Sequence, residues 1–247
     1  DNDMTNRYTS KQMMIISLLA IIISYLNYKQ GFKAIQVFSS DRQIDLGYLE
    51  IFDRIFINLN FSQLEYMEGN SPFHYIGPFL FFLGVIFVGS YPFLALKKTY
   101  FQFIYVRSDH KLKALLYMLQ GFLSRITVFV TIYAVSMLGW LFQNDLSAIT
   151  SNTEILLKIT FFSIAAIFIS SAFTILLLFF YIKWDEIIAI VGVLFVLFAV
   201  FVINVSFPNS SIVFIGQDHY FSAGMITGLA LLVLSFIAVY KTKYKIE

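Results

Sequence analysis

The chain contains no cysteine, only 4 prolines, 3 histidines and 2 tryptophans, and just 13% of its 247 residues are charged. Without cysteine there are no disulfides and no thiolate metal ligands. The scarcity of charge separates it from an average soluble domain, in which about 25% of residues are charged and about 45–50% apolar. Here 59% are hydrophobic, with 29 phenylalanines and 15 tyrosines, more than a single soluble core buries. A phosphate loop, an HExxH zinc motif and a nucleophile elbow are also missing. The net charge of +2 is too small to suggest nucleic-acid binding.

What is present is a series of apolar runs, at about 13–28, 75–96, 113–141, 155–181, 187–207 and 221–240. Each approaches the roughly 20 helical residues that cross a hydrocarbon layer about 30 Å thick. The expectation is an all-α integral membrane protein, a single domain over residues 1–247 with six transmembrane helices. The first run is the shortest and follows Arg7 and Lys11, as a signal peptide does, but no small-x-small cleavage site follows it.

Basic residues orient the spans, because cytoplasmic flanks are enriched in them. With both termini cytoplasmic, the inner segments hold Arg7, Lys11, Lys97, Lys98, Arg107, Lys111, Lys113, Lys183, Lys241, Lys243 and Lys245, or 11 of 17 basic residues. The short outer loops near 142–154 and 208–220 hold none. Lys29, Lys33, Arg42 and Arg54 fall in a long outer segment, about 29–74, accompanied by six acids. Within it Leu46, Leu49, Phe52, Ile55, Phe56 and Leu59 recur at helical spacing against Asp45, Glu50, Asp53, Arg54 and Asn58. This predicts an amphipathic extracellular helix between the first two spans, lying on the outer bilayer surface or capping the outer mouth of the bundle.

Chemistry-bearing residues are few. His74, His219 and Asp218 would lie outside the membrane with no tight spacing, a weak metal pattern, and His110 sits in a basic loop. Arg125 lies about twelve positions into the third run. An arginine at that depth costs at least about 2.5 kcal/mol unless it snorkels, pairs or faces water. Two readings stand: a place in a translocation path or gate, or a span that begins at Ile126 and leaves Arg125 at the interface. Lys158 lies close enough to the end of its helix to snorkel. The GxxxG pattern of Gly224 and Gly228, and the pair Ala166 and Ser170, permit close helix packing within the subunit or between subunits.

The loop at about 97–113 is far longer than a turn between spans requires. Tyr100, Phe101, Phe103, Ile104 and Tyr105 form an apolar, aromatic surface, followed by Arg107 and the polar break "RSDHK". A surface so apolar in the cytosol calls for a protein partner or the bilayer interface. The stretch "YFQFIYVRSDHKLKALLYML" and the six-span topology resemble the permease subunits of ABC-2 type transporters, bacterial exporters of peptides, antibiotics and polysaccharides. The resemblance implies that Tyr100, Phe101, Phe103, Ile104, Tyr105 and Arg107 form a coupling helix that docks on a separate ATP-binding subunit. It further implies ATP and Mg bound by that partner and none by this chain, a second permease copy, a peptide-like cargo such as a toxin or antimicrobial, and no enzymatic activity in the chain itself. The location implied is a bacterial cell membrane, in keeping with a composition rich in Ile, Phe, Tyr and Lys. The alternative is a non-transporting immunity or sensor protein that captures a ligand with its outer segment.

Overall fold

The computed structural model describes residues 2–42, 47–56, 76–95, 111–144, 151–206 and 220–241. These form seven helices and, among the described residues, no strands: α1 (Asn2–Arg42), α2 (Tyr48–Phe56), α3 (Ile76–Ala95), α4 (Lys111–Leu141), α5 (Asn152–Lys183), α6 (Glu186–Ser206) and α7 (Tyr220–Lys241). Four helices are long and apolar enough to cross a membrane, at Ser10–Lys33, Met118–Leu141, Asn152–Lys183 and Glu186–Ile203. Shorter apolar helical stretches cover Ile76–Tyr91 and Met225–Lys241.

Local chemistry sets the helix ends. Ser151 is extended, and its hydroxyl accepts from the Thr153 amide at 3.3 Å, capping α5, with Glu154 in the first turn. At the other end the Trp184 amide still reaches the Phe180 carbonyl, and Asp185 then accepts from the Ile188 amide at 2.8 Å to start α6. Reversal thus takes only two residues, 184 and 185, between α5 and α6. Lys183 stands 4.6 Å from the centre of the Trp184 ring, a cation–π contact at the tip of this hairpin. For α2, Glu50 reaches back to accept from the Gly47 amide at 2.9 Å, half of a capping box.

α5 is the central element, touching α2, α3, α4, α6 and α7, and its pairing with α7 is the most extensive. α1 packs on α4, α3 and α2, while α6 rests on α5. Small residues bring the backbones together. A Cβ on Gly84 would stand 2.7 Å from Ile23, and one on Gly89 would stand 3.0 Å from both Ile126 and Thr174. In lipid, where burying apolar surface between helices gains little, such close van der Waals approach is what holds a bundle together. Four hydroxyls of α5 are satisfied within the helix, since Thr160, Ser163, Ser171 and Thr174 each donate to the carbonyl four residues earlier.

The first run is much longer than expected. α1 continues through Lys29, Lys33 and on to Arg42, so the segment taken as outer loop from residue 29 begins as helix. Charge marks a membrane boundary but does not end a helix; that takes backbone chemistry such as glycine in a left-handed cap or proline. The amphipathic helix forms at Tyr48–Phe56, and of the two expected positions it takes the one inside the bundle end. Tyr48, Ile51, Phe52, Ile55 and Phe56 are all buried. Leu46 and Leu59 lie outside the described residues.

Candidate functional site

Two polar centres interrupt the apolar bundle, one near each end. The first surrounds α2. Asp53 of α2 and Lys158 of α5 form an ion pair at 2.5 Å, with side-chain exposures of 16% and 6%. The neighbouring Arg54 is also buried, at 6%. Lys158 therefore does not snorkel to open water: α2 covers the end of α5 and supplies the counter-charge in place of solvent. Aromatic rings fill the space below. Phe56 contacts Phe162 at 4.3 Å, Phe81 at 5.9 Å and Tyr133 at 6.3 Å between ring centres, and Phe52 meets Phe162 edge-on at 5.4 Å. Tyr48 donates to the Asn144 carbonyl at 2.8 Å, and Asn144 donates to the Tyr28 hydroxyl at 2.5 Å, so Asn144, three residues past α4, ties α1 and α2 together.

Beneath this cap sits a buried amide. Asn27 donates to the Gly77 carbonyl at 3.1 Å and to the Tyr133 hydroxyl at 2.9 Å, joining α1, α3 and α4. The Gly77 carbonyl is available because the first carbonyls of a helix receive their bonds from four residues on and can accept a second. Asn27 Oδ1 and Ser24 Oγ are enclosed without a hydrogen-bond partner. Gly77 keeps this approach close, since a Cβ there would stand 3.3 Å from the Ile55 carbonyl and 3.4 Å from Asn27 Oδ1.

The second centre is Arg125, half-buried on α4. Its Nη2 donates to Gln12 Oε1 of α1 at 3.3 Å, and its Nη1 is enclosed with no acceptor. Gln12 is the neutral partner that sequence reading did not supply.

Of the other residues singled out from sequence, Tyr100, Phe101, Phe103, Ile104, Tyr105 and Arg107 lie outside the described residues, as do His74, His110, Asp218 and His219. Gly228 packs against α5: its Cβ would stand 3.0 Å from Phe168 Cβ and 3.1 Å from Ile169 Cγ1. Gly224 lies one turn earlier on α7, and the surroundings of that position lie outside the described residues. Ala166 and Ser170 are buried on α5. Among the described residues no three His, Asp or Glu side chains are grouped as metal ligands. A crevice between α3, α5 and α6, lined by Ile86, Leu177, Val193 and Leu197 among others, encloses about 10 Å³, room for one water.

Sequence reading missed the Asp53–Lys158 pair and the Asn27 node. A signal for the second was present: Ser24 and Asn27 recur at i, i+3 inside an otherwise apolar run. The pair offered none, because its members are 105 positions apart in the chain. Comparison with family models, with curated proteins and with solved structures finds no match for this chain.

Proposed function

We propose that this chain is the permease subunit of an ATP-driven bacterial exporter, a multi-pass protein of the cell membrane that moves an amphipathic, peptide-like cargo. The observation that carries the reading is the segment joining α3 to α4. It holds Tyr100, Phe101, Phe103, Ile104, Tyr105 and Arg107 between two basic clusters, Lys97 and Lys98 before them and Lys111 and Lys113 after. Aromatic side chains flanked by cations suit a groove on a partner protein. At 20 and 22 residues, α3 and α7 reach about 30 and 33 Å, so we count them as spans alongside the other four. Both termini are then cytoplasmic by the distribution of Lys and Arg.

The chain carries no nucleotide-binding sequence, so ATP and Mg belong to the partner and the permease responds mechanically. Closure of the ATPase pair pushes the α3–α4 segment, and rigid helix packing passes the motion to the bundle. A second permease copy completes the membrane part. Uncharged, phenylalanine-rich helix faces favour an amphipathic cargo over an ion, which needs a ring of charges or a proton relay.

A second reading, a non-transporting immunity or sensor protein, is favoured by how tightly α2 closes its end of the bundle. One experiment separates the two. The tagged protein is purified in mild detergent from its native membrane, its partners are identified by mass spectrometry, and ATPase activity is measured. A co-purifying ATPase that is lost in Phe101→Asp supports the exporter. Absence of any ATPase refutes it, and loss of function on deleting residues 43–75 with Phe101→Asp harmless selects the second reading.

A further inference from the structure

Arg125 has a poorly satisfied guanidinium, and the surface next to it is open. The bond to Gln12 is long, at 3.3 Å, and goes to a neutral amide, while Nη1 has no acceptor at all. A charge-assisted bond to an anion is shorter and roughly twice as strong. One turn earlier on α4 stands Gly121, which is exposed and has nothing within 4 Å of the place its Cβ would occupy. Long helical side chains lean toward the preceding turn, so this notch is within the swing of Arg125 once it leaves Gln12. Ser124, exposed beside it, adds a hydroxyl to the rim.

The depth of this notch follows from the packing. Gly89 touches both Ile126 and Thr174, which puts those two residues at one level. Thr174 lies nine residues from Lys183, about 13 Å along α5. Leaning toward the start of α4, an arginine recovers on the order of 6 Å of that distance. Trp184 and Lys183 mark the headgroup level at this end of the bundle, where tryptophan and lysine collect in membrane proteins. The guanidinium thus stands just below the headgroups, and Lys11, exposed next to Gln12, adds a second positive charge near the rim.

We propose that Arg125, Gln12, Ser124 and the notch at Gly121 bind the phosphate of an anionic phospholipid from the leaflet at the Lys183 end. The inference needs membrane insertion but not the ATPase partner, so its failure and that of the exporter reading are separable. On binding, the Arg125 side chain rotates toward Gly121 and exchanges a weak amide contact for phosphate oxygens.

The test is native mass spectrometry of the full chain released from detergent containing equal amounts of phosphatidylglycerol and of diacylglycerol, which has the same acyl chains and no phosphate. Wild type is expected to retain phosphatidylglycerol about tenfold over diacylglycerol, as one to two charge-assisted bonds to the phosphate imply. Arg125→Gln should bring that ratio near one. Gly121→Leu, which keeps the charge and fills only open space, should reduce it at least about fivefold. Lys241→Gln, which removes an exposed cation at the same end but outside the site, should leave it unchanged. Equal retention by wild type and Arg125→Gln, or no effect of Gly121→Leu, overturns the proposal. Millimolar inorganic phosphate displacing the lipid in wild type but not in Arg125→Lys would assign the site to a soluble anion and overturn the lipid assignment.

Discussion

Replacing Lys158 by methionine is expected to release α2 from the bundle end before anything else unfolds. Methionine keeps the length and apolar stem of the side chain, so the change isolates the ammonium. Breaking a buried ion pair by removing one partner costs about 3–5 kcal/mol, because the remaining charge stays in a low-dielectric site. Asp53 keeps 16% exposure and so some hydration, which places the expected cost nearer about 2–3 kcal/mol. The readout is local: Arg54, 6% exposed in the folded protein, is a trypsin site that opens when α2 lifts. A loss of about 2 kcal/mol raises the open population, and hence the cleavage rate at Arg54, roughly 30-fold. Asp53→Asn should act in the same direction. The double variant Asp53→Leu/Lys158→Met should cleave at a rate close to wild type, since exchanging both members of a buried pair for apolar residues is often neutral or stabilising. High salt should change little, because a covered pair is weakly screened. Cleavage at Arg54 in Lys158→Met within twofold of wild type would refute the argument, and so would a double variant as labile as the single ones.

Asn27→Ala strands the Tyr133 hydroxyl and deprives the Gly77 carbonyl of its amide donor; it should cost about 1–3 kcal/mol, read as a lowered melting temperature in detergent, whereas Tyr133→Phe should cost about 0.5–1.5 kcal/mol. Gly228→Leu should separate α7 from α5 and lower the melting temperature and the folded yield, while Gly139→Leu, at a position with nothing within 4 Å, should do neither. Gly84→Ala should be costlier than Gly121→Ala, since only the former brings a methyl against Ile23 and Phe129; equal melting temperatures would contradict the packing described.

The helices from α3 to α7 were legible to within about three residues because each is an apolar run bounded by polar residues, and in lipid that pattern nearly dictates the element. The far end of α1 was not, since Lys29 and Lys33 carry information about depth but none about backbone continuity. α2 was legible as an amphipathic helix, yet an apolar stripe does not state whether lipid or protein covers it. Lys158 could be placed near a helix end, but its partner across 105 residues is a product of the fold alone. Arg125 was legible as a cation in need of a partner; Gln12, neutral and at the edge of the first apolar run, carried no mark of being that partner.

The seat of α2 also has a schedule. One wall, α1, is already made when α2 emerges, but Phe81, Tyr133, Lys158 and Phe162 all come later in the chain. At roughly 5–20 residues synthesised per second, the last of them follows Phe56 by roughly 5–20 s. During that interval Tyr48, Ile51, Phe52, Ile55 and Phe56 have only part of their seat, and the membrane surface is the nearest apolar phase to receive the rest of their surface. The same nine residues thus have two consecutive addresses, lipid while the chain is growing and protein once it is finished, and the ion pair with Lys158 records the move.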